Sequence, residues 1–360
     1  MTMTTISRRK ILHRFASTAL ATSGTGIIGA AEKSSPLATL PLGLDGHAVR
    51  GMKWKSLQLI EYAAKNQLDA VLFNGPHYFE SLDSEHLKRV KAAADAAGLR
   101  IYIGAGGISE GAKSYRDTYG SGADTLREGL RIARALGSPV VNCRIGNIDD
   151  RYSEGGIAAR LEEAARTLKA VRDEARDHGV KFAFENHAGD TRSEEVLSLI
   201  EAVGTDLCGV MLDPGNALWA MEDPMEQLER LGPHVLCSSV RDYMVWPSEQ
   251  GAIFQWTAIG EGLMDVPAYV KTFKKLCPGV PLFVETISNQ ARPIPFLTKE
   301  FLAGFPGLKV TDITSFLKLC QQGTPPAILE APEGTDAKSF DQDLQISEFE
   351  KSIATLRKYA

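Results

Sequence analysis

The chain has 360 residues, 44% hydrophobic and 24% charged, with a formal net charge of −5 from 40 basic and 45 acidic side chains. That is ordinary globular usage, and the length suits two small domains or one α/β barrel with insertions. No broad basic field is available to hold a phosphate backbone, which argues against nucleic acid as the main partner.

Residues 1–31 are set aside from the fold. Ser7-Arg8-Arg9-Lys10-Ile11-Leu12 is a twin-arginine pattern, followed by a mild apolar stretch from Phe15 to Ile28 and the small residues Gly29-Ala30-Ala31. Order and spacing fit a Tat-type export signal and a periplasmic destination. The apolar stretch is too short and too rich in Gly, Ser and Thr to be a stable membrane anchor. Five cysteines without paired spacing suggest buried small hydrophobes, so neither a disulfide framework nor a zinc cluster is assigned.

Beyond the signal, short apolar runs alternate with longer amphipathic ones. The expected strands are Ala38–Leu44, Ala70–Asn74, Leu99–Gly104, Pro139–Arg144, Lys181–Glu185, Cys208–Asp213, Val235–Val240 and Pro281–Glu285. Several are apolar throughout, as parallel strands covered by helices are. Between them, Leu87–Ala97, Leu126–Leu136 and Ile157–Ala175 carry the three-to-four spacing of one buried helical face. Gly137 and Gly179 are the expected C-caps, and Ser193 the expected N-cap of a further helix. Eight β/α units predict a single (β/α)8 TIM barrel over residues 38–322. A doubly wound sheet is the runner-up, but "GLDGHAVRG" is a poor phosphate-binding turn. The cluster Gly104-Ala105-Gly106-Gly107 reads as a tight turn. A loop over the barrel mouth is expected after Glu285, with a short helix near Asp312–Leu319. Residues 323–360 read as an extended surface segment to about residue 343, then a C-terminal helix packing on the barrel.

In such a barrel the residues that follow the strands share one mouth. Glu185, Asp213 and Glu285 stand where an apolar strand gives way to a loop, and poorly solvated carboxylates there need a cation, a proton or a strong donor. Three of them suit a hard divalent ion such as Mg2+ or Mn2+. The bland alternative is that each acid caps a helix or pairs with Arg144 or Arg241. His187, Arg144, Asn216, Arg241, Trp256, His77 and His47 are the substrate-binding candidates at the same mouth. Lys53 and Lys55 read as solvated.

At these residues the chain resembles the sugar isomerase/epimerase family with xylose isomerase-like TIM barrels. The matching segments are "FAFENH" at 182–187, "LDPGNALW" at 212–219, "SSVRD" at 238–242, "IGEGLMDVPAYV" at 259–270 and "FVETIS" at 283–288. The resemblance implies the ligand set Glu, Asp, His and Glu, hence Glu185, Asp213 and Glu285 as metal ligands. The histidine position holds Ser239, which leaves three outcomes open: a weaker Mg2+ or Mn2+ site, a site completed by another residue such as His187, or no metal. It also implies an enzyme acting on a small carbohydrate. Proton abstraction next to a carbonyl by Glu185 and Glu285 would give an enediolate, assisted by the metal. Reprotonation gives an isomerase or epimerase. A lyase or dehydratase, for instance on 3-keto-glycosides, uses the same intermediate, and a sugar-binding barrel with a decayed site is the non-catalytic alternative. A metal-dependent nuclease would need more ligands than seven histidines provide. Homo-oligomerisation is left open.

Overall fold

The computed structural model describes residues 39–360; the twin-arginine segment lies outside them. Eight strands form one parallel sheet: β1 (Leu42–Asp45), β2 (Ala70–Phe73), β3 (Arg100–Gly107), β4 (Val140–Arg144), β5 (Lys181–Glu185), β6 (Cys208–Leu212), β7 (Val235–Ser238) and, later in the chain, β10 (Leu282–Val284). Their order is β10-β1-β2-β3-β4-β5-β6-β7. A bridge between Val240 and Val284 spans the remaining gap. There Val240 N donates to Phe283 O at 2.7 Å and Glu285 N to Val240 O at 3.0 Å. All eight expected barrel strands are present, with ends that coincide with the expectation or differ by at most four residues.

Strand alternation sorts the side chains. Val71, Phe73, Ile101, Ile103, Val141, Phe182, Phe184, Val210, Leu212, Leu282 and Val284 face outward into the large core shared with the helices. Ala70, Leu72, Tyr102, Val140, Ala183, Met211, Cys237 and Phe283 form a separate cluster inside the barrel. Inward positions recur every second residue. The next inward residue on each strand is therefore Asn74, Asn142, Glu185, Asp213, Ser239 or Glu285, and Asp45 follows Gly43 on β1. The barrel floor is apolar and its mouth polar for this reason. Gly43 is required where it stands: a Cβ there would run into the Phe283 ring.

Several local expectations change. The Gly104–Gly107 cluster is no turn but the end of β3, with a register shift between Gly104 and Gly106. The helix expected over Ile157–Ala175 is two, Gly156–Ala170 and Arg172–His178, separated at Val171, whose φ of −115° leaves the helical range. Ser193 is the first helical residue rather than the cap; Arg192 caps, its N–H donating to Glu195 Oε2 at 2.7 Å. Gly137 and Gly179 do close their helices, at φ 72° and 65°.

An antiparallel sheet absent from the expectation is built from segments on either side of β10. β8 (Asp242–Ser248) and β9 (Gly251–Thr257) form a hairpin, joined by β11 (Arg292–Ile294) from the segment read as loop. Pro247 is tolerated because β8 is an edge strand. The short helix expected near Asp312–Leu319 is Thr314–Cys320, and the last helix begins at Ala337, inside the segment expected to be extended. All five cysteines are free and buried. No described helix is long and apolar enough to cross a membrane.

Candidate active site

Asp45, Glu185, Asp213, Ser239, Arg241 and Glu285 meet at the polar end of the barrel, each less than a tenth exposed. Asp45 did not stand out in the sequence. Its carboxylate accepts from Asn74 Nδ2 at 2.7 Å on both oxygens and from His47 N at 2.8 Å. Ser239 Oγ sits 3.0 Å from Asp45 Oδ2 and 2.7 Å from Glu285 Oε2. A hydroxyl has one proton to give. If it goes to Glu285, the contact to Asp45 closes only when Asp45 is itself protonated and donates back. Burial first, then repulsion from Glu285, push the Asp45 pKa from 3.8 up to about 8. Asp45, Ser239 and Glu285 thus form a hydrogen-bonded chain that stores a proton.

A stability consequence follows from linkage. The folded state holds the Asp45 proton more tightly than the unfolded chain does. This group's contribution is therefore complete below pH 3.8 and is lost as pH rises through about 8. Chemical denaturation of wild type and Asp45→Asn across that window should show a steeper decline for wild type. Parallel curves would remove Asp45 from the account.

Arg241 occupies the centre. Its Nη2 donates to both Asp213 Oδ2 and Glu285 Oε2, and its guanidinium carbon lies 4.0 Å from the centroid of the Trp256 ring. Arg292 lies at the same distance from that centroid; two guanidinium groups so placed need the two faces of the indole. Trp256, one of the substrate-binding candidates, is thereby packed between two guanidinium groups. Burial alone would raise the Glu285 pKa, but the Arg241 charge overcomes this and holds it below the usual range. Asp213 is pushed by burial to about 6, against the pull of Arg241.

Asp213 is fully engaged. It accepts from Asn216 N at 3.0 Å, from Asn216 Nδ2 at 2.8 Å and from Arg241. Asn216 is 2% exposed and spends its amide on Asp213, with a long contact of 3.5 Å to Glu185. Glu185 is held loosely: Arg144 Nη1 lies 3.7 Å from Oε2. Burial raises its pKa well above 4.5, Arg144 opposing and Asp213 and Glu285 adding to the rise.

His187 faces Gly146 O through Nδ1, which must therefore carry the proton and leave Nε2 as an acceptor. Burial, then Arg144, lower its pKa to about 3, so it acts as a neutral ring. His47 is lowered to about 4, chiefly by burial. His47 and His77 line a cavity of about 470 Å³ together with Arg50, Lys53, Trp54 and Lys55. A second cavity, of about 690 Å³, is bordered by His77, Gly106, Gly107, Arg116, Tyr119 and Arg144. Neither is lined by the carboxylates, which lie beneath the mouth. Lys53 and Lys55, read as merely solvated, are part of a cavity wall that carries no acid.

The expected metal ligands are near one another, but their arrangement does not fit a divalent ion. The guanidinium fills the position between Asp213 and Glu285, and Ser239 is committed to two acids. Among the described residues no group of three or more His, Cys, Asp or Glu is arranged to hold a metal.

Comparison with known proteins places this geometry. The family model for the xylose isomerase-like TIM barrel matches residues 60–303. A 3-oxo-isoapionate decarboxylase of Pectobacterium atrosepticum is 22% identical over 197 residues, 54% of this chain and 64% of that protein, so the match spans less than two thirds of the decarboxylase. Among solved structures, D-psicose 3-epimerase in the presence of D-fructose aligns with a TM-score of 0.58 at 15% identity, covering 89% of this chain and 99% of the other. The IOLI protein with a bound zinc atom aligns at 0.54 and 15%, covering 79% and 99%. At these identities the structural likeness establishes the fold. The chain belongs to the xylose isomerase-like TIM barrel family.

Proposed function

We propose that the protein is an enzyme that forms and quenches an enolate on a carbohydrate bearing a carbonyl group. The observation that carries this reading is the pair Glu185 and Glu285. Both are buried inward-facing carboxylates at the mouth, one firmly ionised beside Arg241 and the other loosely held with a raised proton affinity. Carboxyl groups whose environments drive their pKa values apart are suited to base and acid roles. Arg241 and Ser239 both bind Oε2 of Glu285, which leaves Oε1 to take a proton from the carbon beside the carbonyl. The C–H electron pair moves to the carbonyl oxygen, and Glu185 delivers a proton to the new enolate. Delivery to the opposite face epimerises; delivery to the neighbouring carbon isomerises.

A second reading, bond cleavage at the β-position, is favoured by the asymmetry of the pair. Glu285 is restrained by two donors while Glu185 has only weak contacts, so one mobile acid quenching an enolate left by a departing group fits as well. The name of the decarboxylase relative, acting on a 3-oxo acid, supports this class. The wall of Arg50, Lys53 and Lys55 suits a substrate with an anionic group. Export through the twin-arginine segment would expose the enzyme to free sugars, sugar acids and glycosides rather than cytoplasmic sugar phosphates.

The test is an NMR survey with free ketoses, sugar acids and 3-keto-glycosides. A new epimer or isomer supports the first reading, and a released fragment or CO2 the second. Sugar acids are expected to turn over best. No conversion of any carbonyl substrate would refute the proposal.

A further inference from the structure

We propose that Arg241 is the resident cation of this site, supplying the positive charge that faces the enolate oxygen, and that no divalent ion takes part. The proposal rests on the enolate reading above and goes beyond it by naming the electrophile.

Three observations support it. The Arg241 Nη2 bridges the two acids that would have to share an ion, Asp213 and Glu285. A divalent cation at that point would have to displace a guanidinium that already pairs with both carboxylates. The side chain is also built in. Its plane packs on Trp256, whose Nε1 is fixed by Gly215 O at 2.9 Å, and a Cβ at position 215 would collide with the Arg241 stem and with Trp256 Nε1. Gly215 therefore keeps open the groove in which the arginine lies.

The third observation concerns the donors. Arg241 Nε and Nη1 are buried and have no acceptor among the described residues. Leaving charged donors unpaired costs free energy unless a ligand or water completes them. A carbonyl oxygen that gains charge as the C–H bond breaks is such an acceptor, and guanidinium N–H groups bind an oxyanion more strongly than a neutral carbonyl. Ser239 follows from the same arrangement. An imidazole is not needed where no ion is held, and a small hydroxyl leaves room for Arg241 beside Glu285.

The test begins with the full-length protein as purified, then dialysed against a chelator. Metal analysis should find no stoichiometric divalent ion, and the melting temperature should not rise on adding Mn2+, Mg2+ or Zn2+. A bound equivalent of metal, or a clear rise in melting temperature, would overturn the proposal whatever the substrate proves to be. With a substrate from the NMR survey, chelation should leave the rate unchanged. Arg241→Lys, checked for folding by circular dichroism, should lower kcat by about a hundredfold, since a lysine cannot bridge two acids and still present further donors. A folded Arg241→Lys protein with the wild-type rate would overturn it as well. Metal binding is read without turnover, so an inactive wild type would count against the enolate reading and leave this inference to the metal analysis alone.

Discussion

Glu185→Gln is expected to lower kcat by about a thousandfold while leaving the fold and its melting temperature intact. Loss of a positioned proton donor costs on the order of 100- to 10,000-fold. A glutamine keeps the shape and the long contact to Asn216 Nδ2 but carries no transferable proton. Stability should hold because Glu185 is a desolvated acid with no short ion pair, its nearest cation being Arg144 at 3.7 Å. Removing an ionisable group that burial already disfavours relieves a cost. Steady-state kinetics with thermal melts would check both halves. A variant of unchanged kcat would remove Glu185 from the chemistry, and one that failed to fold would make it a structural acid.

The second large effect concerns Asp242, next to Arg241. Its carboxylate accepts four backbone N–H groups: Tyr243 at 2.7 Å, Gly260 at 2.9 Å, Met264 at 3.0 Å and Gly262 at 3.1 Å. These bonds fold the segment after β9 back onto the start of β8. Asp242→Ala would leave four donors without their acceptor, those of Tyr243 and Met264 buried and those of Gly260 and Gly262 partly open to water, at about 1–3 kcal/mol for each buried one. Partial solvation leaves an expected loss of about 4 kcal/mol. The midpoint of urea unfolding should fall accordingly, and Arg241, on the adjacent backbone, should lose its fixed position. A loss under about 1 kcal/mol would mean that water replaces the carboxylate.

The barrel was legible because its strands are short apolar runs with two-residue periodicity. The same periodicity carries the acids: Ala183 to Glu185, Met211 to Asp213 and Phe283 to Glu285 are steps from the interior cluster to the mouth. Asp45 obeys the rule too, one step beyond Gly43. It was missed because the first strand was ended at Leu44 and a lone Asp before Gly-His reads as a turn. The hairpin was missed although "DYMVWPS" and "GAIFQWT" are strand-like runs two residues apart, a spacing that signals a hairpin. A regular (β/α) repeat has no place for a hairpin between the seventh strand and the helix that follows it.

Arg241 shows a limit of another kind. Sequence spacing places a Cα on the mouth but not the end of a long flexible side chain. Arg241 follows Ser239 by one inward step, and whether its guanidinium would reach solvent, substrate or the acids depended on the groove left by Gly215 and on Trp256, contributed by the unanticipated hairpin. The shape of the basic cavity was hidden for a similar reason. Lys53 and Lys55 look like solvated charges until the 3-10 turn at Gly46–Met52 folds them beside His47 and His77.

The most direct measurement of enolate formation at these acids is turnover in D2O by chelator-treated wild-type enzyme, followed by NMR of the product. One deuterium should appear on the carbon adjacent to the carbonyl, at a rate that Glu185→Gln suppresses. Conversion at full rate with no label at that carbon would contradict it.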